Sequence, residues 1–122
     1  MTEAQASKVN EMVKNFIAQK EQRDYEENLH CRYDAFLEAG NLDEALYHAA
    51  LIEEFVIPKY GKNSCEYTTV LFKKGMVFKR ANKHHEDRIE ALWLLIESKR
   101  LYLKYSECWK SCMREISEMI GT

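Results

Sequence analysis

One proline and four glycines in 122 residues leave few points at which a helix must stop. Long helices follow. No stretch alternates apolar and polar residues with period two, and no Asn-Gly pair occurs, so strands and hairpins have no signal. The longest apolar run, ALWLLI at 91–96, is far short of the roughly 20 residues a membrane span needs. The opening MTEAQASKVNEMV is polar and lacks the apolar core of a secretory leader. Four cysteines stand at 31, 65, 108 and 112, and none forms a Cys-x-x-Cys pair. Cys108 and Cys112 lie four apart on a predicted helix, with Cβ atoms about 5–6 Å apart, whereas a relaxed disulfide wants about 4 Å. We therefore expect four reduced, mostly buried thiols and an intracellular protein of the cytoplasm or nucleus. The net charge of −2 lacks the broad basic surface that nucleic acid requires, so nucleic acid and membrane are not expected partners.

The composition is that of a folded soluble chain, 46% hydrophobic and 31% charged. Its length suits a single domain, 1–122. Charge is unevenly divided. Residues 1–58 carry five Lys/Arg against twelve Asp/Glu, and residues 59–122 carry thirteen against eight. Either the halves attract each other, or a basic face awaits an acidic partner.

Apolar spacing predicts an all-α chain of about six helices. Thr2 caps the first, Glu3–Lys20, with Gln5 three residues on, and Val9, Met12, Val13, Phe16 and Ile17 form its apolar stripe. A bend near Gln22–Asp24, capped by Asp24, opens a second helix to Ala39, with Leu29, Tyr33, Phe36 and Leu37 facing inward. Gly40 ends it. Asn41, with Glu44 three residues later, caps a third, Leu42–Ile57, which Pro58 stops. Ser64 caps a fourth, Cys65–Ala81, with Gly75 at its middle marking a close helix approach. The fifth, Glu86–Tyr105, is apolar nearly all round at its centre and is expected to be buried on more than one side. Ser106 caps a one-sided sixth, to Ile120, suited to the end of a stack.

Phe36, Gly40, Ala45 and Ala49 match Phe78, Asn82, Ala91 and Leu95, with a period of 42 from Phe36 to Phe78. That exceeds the roughly 34 residues of a tetratricopeptide repeat. The expected architecture is a tetratricopeptide-like stack of antiparallel helical hairpins with lengthened helices.

The order Gly40, then Glu44-Ala45-Leu46, Tyr60-Gly61, Lys73-Lys74-Gly75, and Ala91 with Leu95 resembles the C-terminal helical domain of the SET- and MYND-domain lysine methyltransferases. The likeness covers roughly Tyr25 to Met119. The catalytic SET domain and the zinc-binding MYND finger have no counterpart here, so no catalytic residue, cofactor or metal carries over and the chain is not expected to be an enzyme. The resemblance implies the accessory role alone: contact with protein partners, including the acidic tail of a chaperone, or a regulatory part for a methyltransferase.

The candidate binding set is Lys73, Lys74, Lys79, Arg80 and Lys83, five cations without an acid between them. One reading is a groove that holds an acidic peptide by charge-assisted hydrogen bonds. The other is a solvated face turned to the acidic N-terminal half. A tetratricopeptide carboxylate clamp also uses Asn side chains beside such cations, and none can be placed there. His84-His85 with Glu86-Asp87 lacks a second ligand pair at metal spacing. Most aromatics, among them Tyr47, Trp93, Tyr102 and Trp109, read as packing, with a subset on the concave side able to anchor a peptide. A third reading is a homodimer through the Phe16–Ile17 stripe.

Overall fold

A computed structural model describes residues 2–102 and 106–121. They form five helices: α1 (Glu3–Glu38), α2 (Leu42–Tyr60), α3 (Cys65–Ala81), α4 (His85–Leu101) and α5 (Glu107–Gly121). Among the described residues there is no strand, and no helix is long and apolar enough to cross a membrane.

Several helix ends follow local chemistry. The Thr2 hydroxyl accepts from the Gln5 amide while the Gln5 side chain accepts from the Thr2 amide, a complete capping box. Ser64 and Ser106 accept from the amides of Tyr67 and Trp109. At the end of α1 the Asn41 amide donates to the Phe36 carbonyl and the Gly40 amide to that of Leu37, the two bonds of a Schellman turn. That turn needs positive φ at Gly40, which has φ +78°. Asn82, its counterpart in the repeat, ends α3 at φ 32°, the left-handed conformation asparagine tolerates best among side-chain-bearing residues.

Four expectations are corrected. The bend at Gln22–Asp24 is absent, and α1 runs unbroken for 36 residues, so the described residues hold five helices rather than six. KEQRDYEE contains no breaker, and Asp24 can cap only if the backbone leaves the helix, which nothing there forces. Pro58 does not stop α2, which continues to Tyr60. It stands in the last turn, where a missing amide costs only one bond, and Gly61, with φ +83°, makes the stop. Asn41 begins α2 without a side-chain cap bond. α4 ends at Leu101 rather than Tyr105, Tyr102 being extended; positions 103–105 lie outside the described residues. α4 packs on both α3 and α5 and buries Ala91, Leu94, Leu95 and Ser98, while Ile89, Trp93 and Ile96 face solvent.

Each helix packs on the next in the chain. Phe36 meets His48 near the α1–α2 connection and Tyr25 meets Phe55 farther from it, so numbers rise on one helix as they fall on the other. Thr69 with Tyr102 and Gly75 with Leu95 repeat that order between α3 and α4. Between α1 and α3 the order is the same on both helices: Tyr33 bonds Lys73 and Leu37 bonds Arg80. One core cluster joins the C-terminal half of α1 to α2 and α3 through Leu29, Tyr33, Ala45, Ala49, Ile52 and Val70. A second joins α4 and α5 through Ala91, Leu95, Ile116 and Met119, and Met76 of α3 packs on both. All four alanine and leucine positions of the repeat, Ala45, Ala49, Ala91 and Leu95, are fully buried.

Gly75 is buried where α3 crosses α4. A Cβ there would lie 3.1 Å from Leu95 Cγ and 3.3 Å from Leu94 Cβ. Leu95 is fully enclosed and would have to shift by a few tenths of an ångström within a packed core. Alanine gains up to about 1 kcal/mol in helix propensity, whereas overpacking costs roughly 1–3 kcal/mol. Gly75→Ala is expected to destabilise the fold by about 1 kcal/mol in urea unfolding, and Gly75→Val by more; a stabilised Gly75→Ala would show that α4 can move away.

Candidate functional site

The five cations do not share one surface. Successive residues on a helix turn by about 100°, so they radiate from α3. Lys74 points to α2, where its ammonium donates to Glu53 at 2.8 Å. Lys79 points to α5 and donates to Glu115 and, at 2.6 Å, to Glu118. Burial opposes its charge, and these hydrogen bonds outweigh burial, so its pKa is raised. Glu118 is correspondingly lowered by the Lys79 hydrogen bond. Arg80 donates to the Leu37 carbonyl in the last turn of α1, at 3.3 Å. Lys83 is exposed past the end of α3, beside a separate depression lined by Leu42, Asp43 and Phe78, and makes no ion pair among the described residues.

Lys73 has the most developed surroundings. The Tyr33 hydroxyl, on a side chain only 2% exposed, donates to the Lys73 carbonyl at 2.6 Å. The Lys73 ammonium lies 4.3 Å from the centre of the Tyr33 ring and 3.5 Å from the Asp34 carboxylate. The Asp34 side chain is 68% exposed. The Lys73 side chain is 13% exposed, but with its acid largely in solvent the pair contributes only about 1 kcal/mol and is readily exchanged. His30 also faces this cation; burial first and then the Lys73 charge lower its pKa, so the imidazole is neutral at pH 7.

Lys73 forms part of the wall of an open groove of about 350 Å³ bounded by α1, α3 and α5. Tyr33 and Leu37 line it from α1, Phe72 and Met76 from α3, and Cys108 from α5, with Tyr102 closing one end. A shallower depression holding Arg80 adjoins it through Asp34 and Leu37. The structure thus brings Lys73 and Arg80 to the α1 side of α3, sends Lys79 to α5 and Lys74 to α2, and leaves Lys83 apart. No asparagine lines the groove among the described residues.

The apolar wall was not recognisable as a site from sequence. Tyr102 stands among the aromatics able to anchor a peptide, but Tyr33 reads only as core, and no pattern singles out Phe72 or Met76. Tyr102 shares a hydrogen bond with Thr69 at 3.0 Å, and burial pushes its phenol up to about 12. Burial likewise raises that of Tyr33. Both phenols are protonated at neutral pH and serve as hydrogen-bonding groups.

Searches of protein-family models, of curated proteins and of solved structures return no match to this chain.

The thiols depart from expectation. All four are free, yet Cys31, Cys65 and Cys108 are exposed and only Cys112 is buried, its thiol pushed up by burial to about 11. A thiolate is the reactive form, so at pH 8 three cysteines are expected to react with an aromatic disulfide reagent in the native protein and the fourth only on unfolding. Four fast thiols would place Cys112 at the surface.

Proposed function

We propose that this chain is a non-enzymatic protein-interaction module that binds an acidic peptide in the groove between α1, α3 and α5. The observation that carries the reading is the placement of Lys73, whose ammonium lies over Tyr33 at the edge of an apolar groove and whose one ion-pair partner among the described residues is the exposed Asp34 carboxylate. A carboxylate from a bound peptide takes the place of Asp34 at Lys73. Apolar side chains beside it are received by Phe72, Met76 and Tyr102, and Arg80 supplies a second cation along the α1 edge. Charge-assisted bonds fix the register of such a ligand, and apolar burial supplies affinity.

We read the architecture as a tetratricopeptide-like stack of helical hairpins. The opposed order of contacts between neighbouring helices supports this, as do the matching left-handed ends at Gly40 and Asn82. In such a stack alternate helices line one groove, the disposition of α1, α3 and α5 here. The resemblance to the accessory domain of the SET- and MYND-domain methyltransferases favours the same role, since that domain contacts protein partners.

Binding of a fluorescent Glu/Asp-rich peptide with interspersed leucines tests the proposal. Affinity is expected to fall at least about tenfold between low and 0.5 M salt, and by a similar factor in the Lys73→Glu, Arg80→Glu double variant. Lys83→Glu, apart from the groove, is expected to bind like the parent. Affinity indifferent to salt and to the double reversal would overturn the proposal.

A further inference from the structure

The N-terminal half of α1 carries an apolar stripe that none of the described residues covers. α1 has 36 residues and α2 only 19, lengths of about 54 and 28 Å at 1.5 Å per residue. α2 meets α1 from Tyr25 onward, through the Tyr25–Phe55 ring contact and the Lys59–Glu26 pair. Every residue from 7 to 25 is exposed. Along that overhang Val9, Met12, Val13, Phe16 and Ile17 are 46, 63, 51, 62 and 50% exposed. Their spacing puts them on one face, where they form a contiguous patch of several hundred Å², the size that marks an interaction surface.

We infer that this overhang is a homodimerisation surface, pairing antiparallel with the same segment of a second copy of this chain. Three observations favour that occupant. First, the pattern is self-complementary. Positions 9, 12, 13 and 16 are symmetric about the point between Met12 and Val13, so an antiparallel copy sets Val9 against Phe16 and Met12 against Val13 twice over, as a two-fold interface requires. Ile17 falls opposite the aliphatic stem of Lys8. The other exposed apolar stripe, Ile89, Trp93 and Ile96 on α4, has Leu92 at the matching fourth position, and that residue is engaged with the core of α4 and α5.

Second, the overhang is electrically balanced. Lys8, Lys14, Lys20 and Arg23 stand against Glu3, Glu11, Glu21 and Asp24. Two copies meet without net repulsion, whereas an anionic lipid surface finds no cationic face. Third, geometry and area agree. Antiparallel pairing about that point runs over residues 3–22, about 30 Å of paired helix, and sets the two globular parts at its opposite ends, so they do not collide. The buried total is on the order of 1,000 Å², near the lower bound for specific interfaces, so the dimer is reversible and concentration-dependent.

Sedimentation equilibrium of the full chain from micromolar to millimolar concentration tests this. The parent is expected to pass from one to two chain masses. Phe16→Glu is expected to weaken dimerisation at least tenfold; its side chain is 62% exposed and belongs to neither core cluster of the described residues, so the urea midpoint of the monomer stays unchanged. Because positions 9 and 16 face each other only in the antiparallel arrangement, Val9→Lys combined with Phe16→Glu is expected to dimerise more tightly than either alone. Trp93→Ala is expected to leave the dimer intact. A parent that stays monomeric throughout would overturn the inference and assign the stripe to a different protein. A dimer indifferent to Phe16→Glu, or lost in Trp93→Ala, would move the interface elsewhere, and failure of the double variant to recover would overturn the antiparallel pairing.

Discussion

The contact at Gly75 sets the distances on which the other packing depends. With no Cβ at this position, α3 can approach α4 until Leu95 and Leu94 fill the space a side chain would occupy. That approach leaves α3 with helices on several sides: α1 and α2 through the first core cluster, α4 at Gly75, and α5 through Lys79. α3 buries Val70, Leu71, Gly75 and Val77, packs Tyr67, Phe72, Met76 and Phe78 against the two clusters, and sends its lysines and arginine out between its neighbours.

This accounts for the division of charge along the sequence. The acidic first half and the basic second half meet mainly at α3, where Lys73 pairs with Asp34 and Lys74 with Glu53, and Lys59 adds a pair to Glu26. Lys79 instead closes onto two acids of its own half. Of the two readings of the cation cluster, attraction between the halves describes Lys74 well. Lys73 differs because its acidic partner is largely in solvent, and it is there that the proposed groove draws its specificity. The two proposed surfaces are independent: the groove uses the packed C-terminal half of α1, and the dimer surface uses the half that α2 is too short to reach.

How much of this was legible in the sequence depended on the range of the signal. Caps are local, so Thr2, Ser64 and Ser106 could be named from a few residues, as could the stop at Gly40, whereas Asn82 entered only as its match in the repeat. Breakers proved less local. Pro58 reads as a stop, yet in a last turn it costs one bond, and a polar run such as KEQRDYEE reads as a bend only if the helix before it is assumed to end. The stripe on α1 was plain, but whether it is covered depends on the relative lengths of α1 and α2. The exposure of Trp93 on α4 and of three cysteines was misjudged for a similar reason: composition gives the number of apolar residues on a helix, and neighbours decide which are covered. The cations of the site were found as a list. Which helix each one faces is a tertiary property, and the apolar wall of the groove was indistinguishable from core.

The central claim is that the side of the molecule formed by α1, α3 and α5 is the one that recognises a partner. Backbone and side-chain NMR shifts followed during titration with an acidic, leucine-containing peptide address it most directly. The account predicts saturable shifts at Tyr33, Phe72, Lys73, Met76 and Tyr102, with Trp93 on the far side of α4 unmoved. Shifts confined to the outer face of α4 or to residues 7–25, or none at saturating peptide, would contradict it.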